Sequence, residues 1–386
     1  MKVALLTTDN REPFKQYNKV EPWFGTAPEA LLQGFAQLPE VEVHVVSCIR
    51  RPVKSPEKIA PNIFFHSLVV PKLGWMSTLY QGCIRATRKK LRDIQPDIVH
   101  GQGTELDSSI SAVLSGFPNI VTIHGHMGAV SKICRARVGS FLWLAARLEE
   151  FTLPRTAGVI CISDYVRDLV KKHHVPTWIV PNAVQGMFFD FPKSEAPAND
   201  RPLLINVGVI SERKRQQQVL AILESLREEG FGFDTLFIGV SPGSTYATTF
   251  TNMLGQANRK YGGFKHIQKL DDASFCRQFD QAAAMIHFSN EESFGLTFAE
   301  AIARGVYLFA SDVGAIRDIA KGVERVQMFG LDKWGEMKNS VRHWLATEQF
   351  KLPKPANPPP EFCQRYQPAE VARRHLEIYR KILNKK

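Results

Sequence analysis

Short apolar runs alternate with longer amphipathic stretches along almost the whole chain. In the first half, the runs at 3–7, 41–46, 64–69, 98–100, 120–123, 158–162 and 178–180 read as strands. Periodic stretches at 28–37, 79–94, 108–114, 141–151 and 165–172 read as helices. A polar, proline-rich segment from Phe191 to Pro202 then reads as an exposed linker. After it the rhythm restarts, with strands expected at 203–207, 236–240, 266–269, 284–288 and 307–310 and helices at 216–229, 246–260, 273–283 and 298–304. Such alternation implies parallel sheets covered by helices, here two doubly wound domains in tandem, with ligands bound beyond the carboxyl ends of the strands in a cleft that the domains face. The segment 353–360 holds five prolines and is expected to be extended, and 368–383 reads as a last amphipathic helix through Val371, Leu376, Ile378, Tyr379 and Ile382.

Length supports the division, since 386 residues exceed what one ordinary core organises. No apolar run is long enough to span a membrane, and the first apolar run is too short for a signal peptide. The six cysteines are scattered without a C-x-x-C pair, as expected of reduced thiols in a cytoplasmic protein. The net charge is +11. Between Cys48 and Arg92 there are ten Lys or Arg and one acid, Glu57. That concentration fits either a solvated helix face or a patch that meets an anionic lipid or acceptor. Trp75, Met76, Leu79 and Tyr80 precede the Arg85–Arg92 cluster, an order that favours an interfacial role.

The most informative chemistry lies after the 284–288 strand. Glu292 and Glu300 sit eight positions apart, with Phe294-Gly295-Leu296-Thr297 between them. A helix starting near Gly295 points backbone N–H groups and a positive dipole end at whatever lies above it, which suits a phosphate. A carboxylate further along can accept hydrogen bonds from sugar hydroxyls. A second basic element, Gly208-Val209-Ile210-Ser211-Glu212-Arg213-Lys214-Arg215, follows the first strand of the second half. Three cations near a helix N-terminus oppose its dipole and ask for an anionic partner, and Lys214 is placed to neutralise a diphosphate leaving group. In the first half, His124 stands at the end of the 120–123 strand. It reads as a polar group facing the cleft, with a satisfied structural histidine or a metal site shared with His126 as the lesser alternatives. Gly25, before the first helix, is a candidate for close backbone approach.

Taken together, these residues resemble a retaining glycosyltransferase of the GT-B fold, family 4. Glu292 and Glu300 match that family's E-x7-E pair and Phe294-Gly295-Leu296 its turn, while Gly208 and Lys214 match its Gly-then-Lys element. His124 matches the strand-end histidine beside the donor sugar. Pro181-Asn182-Ala183-Val184 resembles the turn at the domain junction, Cys161-Ile162-Ser163 the strand end before it, and Asp312-Val313-Gly314 a later D-x-G turn. The resemblance implies an acceptor-binding domain at 1–183, a nucleotide-sugar-binding domain at 184–365 and a terminal helix, 366–386, that crosses back to the first domain. It implies that Lys214, Arg213, Gly208 and the backbone around Gly295, Leu296 and Thr297 hold the donor diphosphate, that Glu300 binds ribose, and that Glu292 and His124 meet the donor sugar. It implies further that no cofactor or bound metal is needed, the UDP- or GDP-linked sugar being a substrate; the chain has no D-x-D triplet. The acceptor would be a glycan or lipid-linked hydroxyl in cell-surface polysaccharide or glycolipid synthesis. The protein would be cytoplasmic and peripheral at the inner membrane face through the basic 48–92 region.

One position departs from the pattern: Val209 stands where the family carries an arginine after the glycine. Arg213 is the candidate substitute, and a catalytically inactive sugar-nucleotide or glycan binder is the alternative reading. Nucleic acid is not expected as a partner, because no reader motif accompanies the charge. No G-x-G-x-x-G follows either first strand, which argues against a dinucleotide oxidoreductase.

Overall fold

The computed structural model describes residues 1–194, 201–355 and 357–384. The chain forms two compact units, one of residues 1–186 with 364–386 and one of residues 187–363. The first contains strands β1 (Lys2–Leu6), β2 (Glu42–Ile49), β3 (Lys58–Ala60), β4 (Ile63–Val69), β5 (Ile98–Gln102), β6 (Asn119–Ile123), β7 (Val159–Cys161) and β8 (Thr177–Ile179). They lie in the order β3-β4-β2-β1-β5-β6-β7-β8, parallel apart from β3. The second unit contains β9 (Leu203–Val207), β10 (Asp234–Ile238), β11 (Phe264–Ile267), β12 (Ala282–His287), β13 (Tyr307–Ser311) and β14 (Val326–Phe329), all parallel, in the order β11-β10-β9-β12-β13-β14. Both are doubly wound α/β sheets with near-continuous apolar strands, because helices cover both faces. The order reverses between β9 and β12 in the second unit, and the loops leaving their carboxyl ends carry Gly208–Lys214 and Glu292. Crevices form at such reversals because neighbouring connections turn to opposite faces of the sheet.

The last helix, Pro368–Leu383, buries Val371, His375, Leu376, Ile378 and Tyr379 and packs in the first unit against the helix Thr26–Ala36. Val184 donates its N–H to the Tyr366 carbonyl, so the chain around 184 and the return segment are bonded within this unit.

Several expected elements shift for local reasons. The helix expected from 79 begins at Gln81, because Leu79 and Tyr80 adopt left-handed φ of 50° and 61°. The strand expected at 266–269 is Phe264–Ile267, set by pairing with β10 after the Gly262-Gly263 turn. The short strands β3 and β14 and the helices Met127–Ile133 and Trp334–Ala346 were not foreseen.

The segment read as an exposed linker lies inside the second unit. Arg304, 1% exposed, pairs with Asp280 at 2.7 Å and donates to the Phe191 and Pro192 carbonyls, while Ser194 donates to Asp280. Its remaining residues 195–200 lie outside those described.

The basic 48–92 region also differs from its reading. Trp75 and Tyr80 are core residues packed with Cys48, Val70, Cys83 and Ile84, so they are not offered to an interface. Arg50 is paired with Glu12 and stacks on Trp75 at 4.4 Å. What faces solvent is the outer side of the helix Gln81–Ile94, with Arg85, Arg88, Lys89 and Arg92. Among the described residues, no helix is long and apolar enough to cross a membrane.

Candidate active site

In the second unit the loops after β9 and β12 bring the expected residues together. A single 3-10 turn, Glu212–Lys214, follows Gly208, and the helix Gln216–Glu228 starts only after Arg215. Lys214 donates from Nζ to Glu292 Oε1, with both side chains largely buried. Arg213 donates to the Glu291 carbonyl at 2.9 Å and lies 3.8 Å from the Glu292 carboxylate. Arg215 points elsewhere, donating to the Leu331 carbonyl and stacking on Trp334 at 4.4 Å. The three cations that seemed to require an external anion are thus partly answered from within, two of them by Glu292.

Glu292 has a third partner that sequence reasoning missed. His287, at the end of β12, donates from Nε2 to the same Oε1 at 2.9 Å. Burial opposes a charge on Glu292, but Lys214, His287 and Arg213 outweigh it and hold the carboxyl well below the usual range. Burial in turn keeps His287 below its ordinary value, so it is a neutral donor. Its strand-end position, just before the acidic loop, was the available signal.

The turn after Glu292 has stringent steric needs. Gly295 caps the helix Leu296–Ala303 at φ 96°, and a Cβ there would lie 2.7 Å from Ile316 Cδ1. Gly314, at φ 53°, leaves no room at all: a Cβ would fall 1.8 Å from the Glu292 carbonyl oxygen. The Asp312-Val313-Gly314 turn is therefore the floor on which Glu292 rests, tied to it by the Ala315 N–H at 3.0 Å. Gly295 accepts from the N–H groups of Phe298 and Ala299. Among the described residues, the N–H groups of Gly295, Leu296 and Thr297 have no partner. Phe294 is buried beside them.

Glu300 lies one turn further along that helix, 3% exposed, with its Oε2 atom buried and unpartnered. Burial alone pushes its carboxyl up to about 8. An isolated buried carboxyl of this kind is costly and awaits hydrogen-bond donors.

In the first unit, His124 directly follows β6, partly buried. Its Nε2 lies 2.7 Å from Gln102 Oε1 and its Nδ1 3.1 Å from Asn182 Oδ1. Burial draws it down to about 4. Gln102 and Asn182 stand 22 and 58 residues away, and nothing local to His124 announces them. His126 goes a separate way, capping the helix Met127–Ile133 by accepting the Ala129 N–H at 3.0 Å. Gly25 caps the helix Thr26–Ala36 with an ordinary φ of −71°, and a Cβ there would meet only Pro28 at 3.7 Å. Among the described residues, one group with metal-ligand chemistry occurs elsewhere in this unit: Cys48 Sγ, Cys83 Sγ and an Asp107 carboxylate oxygen lie within 4.8 Å of one another. The Cys83 contact and burial push the Cys48 thiol well above its usual value, whereas metal binding requires thiolate.

Against this geometry the likenesses are informative. Residues 29–185 match the family described as Glycosyltransferase Family 4, and residues 187–352 match Glycosyl transferases group 1. The serotype-specific mannosyltransferase WbdA of Escherichia coli is 26% identical over 239 residues. That match covers 56% of this chain but only 28% of the length of WbdA. Sucrose-phosphate synthase of Thermosynechococcus elongatus superposes over 100% of both chains with a TM-score of 0.76 at 17% identity. HepE of Anabaena, solved with UDP and glucose, gives 0.69 at 12% identity, over 98% of this chain and 99% of its own. The lipopolysaccharide outer core galactosyltransferase WaaB gives 0.67 at 14%, over 99% and 100%. Two doubly wound α/β sheets of this topology, matched in turn by the two family descriptions, make the chain a GT-B glycosyltransferase of family 4.

Proposed function

We propose that this glycosyltransferase moves a sugar from a nucleoside diphosphate donor to an acceptor hydroxyl with retention of anomeric configuration. The observation that carries the reading is in the second unit: unpartnered N–H groups at Gly295–Thr297 and the Lys214–Arg213 pair occur together with an unpartnered buried carboxyl, Glu300. The N–H groups and cations suit a diphosphate, and Glu300 suits ribose hydroxyls. Glu292, already held by hydrogen bonds from Lys214 and His287, would accept from hydroxyls of the transferred sugar, and for His124 a role at the donor sugar is proposed separately. The transition state has oxocarbenium character, and the departing phosphate oxygen takes the acceptor proton, so catalysis rests on stabilising that oxygen and on orientation. HepE is solved with UDP and glucose and WbdA is a mannosyltransferase, which supports a UDP- or GDP-linked sugar as donor and a glycan or lipid-linked acceptor in surface polysaccharide or glycolipid synthesis. Lys214 and Arg213 supply positive charge beside the site, so transfer is expected to persist in EDTA.

A screen of UDP-glucose, GDP-mannose and ADP-glucose by thermal shift tests the reading. One nucleotide should stabilise the protein by about 2.7 kcal/mol at a hundredfold excess over its Kd, and Glu300→Ala should abolish the effect. No stabilisation and no transfer with any donor would sink it. Val209, half exposed, motivates the second reading, an inactive binder. Arg213, 3.8 Å from the Glu292 carboxylate, is the proposed substitute for the missing arginine, and donor stabilisation without transfer or donor hydrolysis would favour the inactive form.

The exposed Arg85, Arg88, Lys89 and Arg92 face is proposed to meet anionic lipid. Reversing Arg88, Lys89, Lys90 and Arg92 to Glu should lower binding to phosphatidylserine vesicles at least tenfold, roughly 1 kcal/mol being lost per charge. Unchanged binding would remove the membrane from the proposal.

A further inference from the structure

Behind His124 lies a run of buried polar side chains that extends to the last helix. We infer that Gln102, His100 and Tyr379 form a positioning relay that holds the His124 ring and places its proton on Nε2, so that the terminal helix governs the state of that histidine. The inference rests on the proposed role of His124 at the donor sugar and deepens it.

The relay is read from its far end. Tyr379 is fully buried, and its hydroxyl lies 2.6 Å from His100 Nδ1. On the opposite side, His100 Nε2 lies 2.7 Å from Thr122 Oγ1. Burial keeps His100 neutral and Tyr379 protonated. Both in-plane directions of the His100 ring are therefore taken by hydroxyls. The Gln102 amide nitrogen is nearly equidistant from the two ring nitrogens, at 3.2 and 3.1 Å, and so rests against the ring face. An amide N–H towards an electron-rich ring is favourable, whereas the carbonyl oxygen there would be repelled.

That preference orients the amide and turns Oε1 towards His124, 2.7 Å from Nε2. A carbonyl oxygen only accepts, so Nε2 must carry the hydrogen. Nδ1 is then the lone-pair nitrogen. Its neighbour Asn182 can offer N–H after a half-turn of its amide, and at 3.1 Å it is the longer contact. Nδ1 is accordingly the nitrogen that can exchange its partner for a sugar hydroxyl. His375 lines a small cavity together with His124, Gln102 and Asn182, and donates from Nδ1 to the Val371 carbonyl at 2.8 Å. The titratable side chains that act on His124 are His100 and His375, and among the described residues no carboxylate acts on it to draw the ring into its charged form.

The test is the 15N spectrum of histidine-labelled full-length protein, recorded beside transfer kinetics. In the wild type His124 should be the Nε2–H tautomer. Tyr379→Phe and Gln102→Leu should each populate Nδ1–H and lower kcat at least about tenfold, with donor KM little changed. Gln102→Leu leaves the last helix untouched, so it reports even if Tyr379→Phe unfolds. An unchanged His124 tautomer in Gln102→Leu would overturn the relay. The two ideas fail separately: full activity of His124→Ala would remove His124 from the donor site, whereas the tautomer measurement judges the relay alone.

Discussion

Lys214→Ala is expected to lower kcat by about 10²–10³, the scale of losing one fixed donor that stabilises a leaving oxyanion, or about 2.7–4 kcal/mol. Lys214 is the partner of Glu292 with the shortest reach, and both side chains are nearly out of solvent. Removing it acts twice. On the proposed reading, the departing diphosphate would lose a cation that matters most as charge develops, so kcat should fall more than donor KM rises. Glu292 is also left with only His287 and the more distant Arg213, so a buried charge is undercompensated and stability should drop by up to about 3 kcal/mol. Lys214→Met keeps the apolar stem and separates packing from charge; it should match alanine in kcat. Arg213→Ala should cost less, since its side chain is 44% exposed and 3.8 Å from the carboxylate. Steady-state kinetics with radiolabelled donor decides the matter. A loss below tenfold in both Lys214 variants would mean that the leaving diphosphate is held elsewhere.

How far such a site is legible in sequence depends on whether its parts are local. Glu292, Gly295 and Glu300 belong to one strand-loop-helix segment, so their spacing already fixes their relation, and the helix begins at Leu296 as the glycine suggested. Lys214 is read from its distance after a strand. What could not be read are the contacts that parallel pairing creates between distant stretches. Lys214 reaches Glu292 only because β12 lies beside β9, and Gln102 reaches His124 only because β5 lies beside β6, whereas His287 stands just five residues before Glu292. Gly314 looks like any turn glycine until the Glu292 carbonyl is found against it. Two misreadings have the opposite cause, composition without context. Residues 191–194 have linker composition, yet buried Arg304 holds the Phe191 and Pro192 carbonyls and buried Asp280 holds Ser194. Trp75 and Tyr80 precede a basic helix as in an interfacial segment, yet the chain folds their side chains into the core before that helix begins.

Glu300 yields the other large expectation, a dependence of donor binding on pH. Burial raises its carboxyl to about 8, so near neutrality it holds a proton, with Oε2 buried and unpartnered. Ribose hydroxyls donating to it would favour the ionised form, so donor binding should expel up to one proton. Between pH 6 and 8 affinity should then rise with pH, at most about tenfold per unit. Calorimetry in buffers of different ionisation enthalpy measures the proton directly. Glu300→Gln should bind donor more weakly and release none. The same group makes a signed prediction for stability. Its folded value exceeds the unfolded one of 4.5, so between those limits the unfolded chain is ionised while the folded chain is not. The unfolded state then binds fewer protons, and stability falls as pH rises, by about 1.4 kcal/mol per unit, until the folded carboxyl itself ionises near pH 8. Glu300→Gln removes that loss, so its advantage over wild type in urea titrations should be small at pH 5 and grow to a few kcal/mol at pH 8. A constant difference across that range would show that Glu300 ionises normally, and the proton release on donor binding would have to vanish with it. If both appear, burial of the Glu300 carboxyl gives up stability in return for a carboxylate ready to receive two hydroxyls.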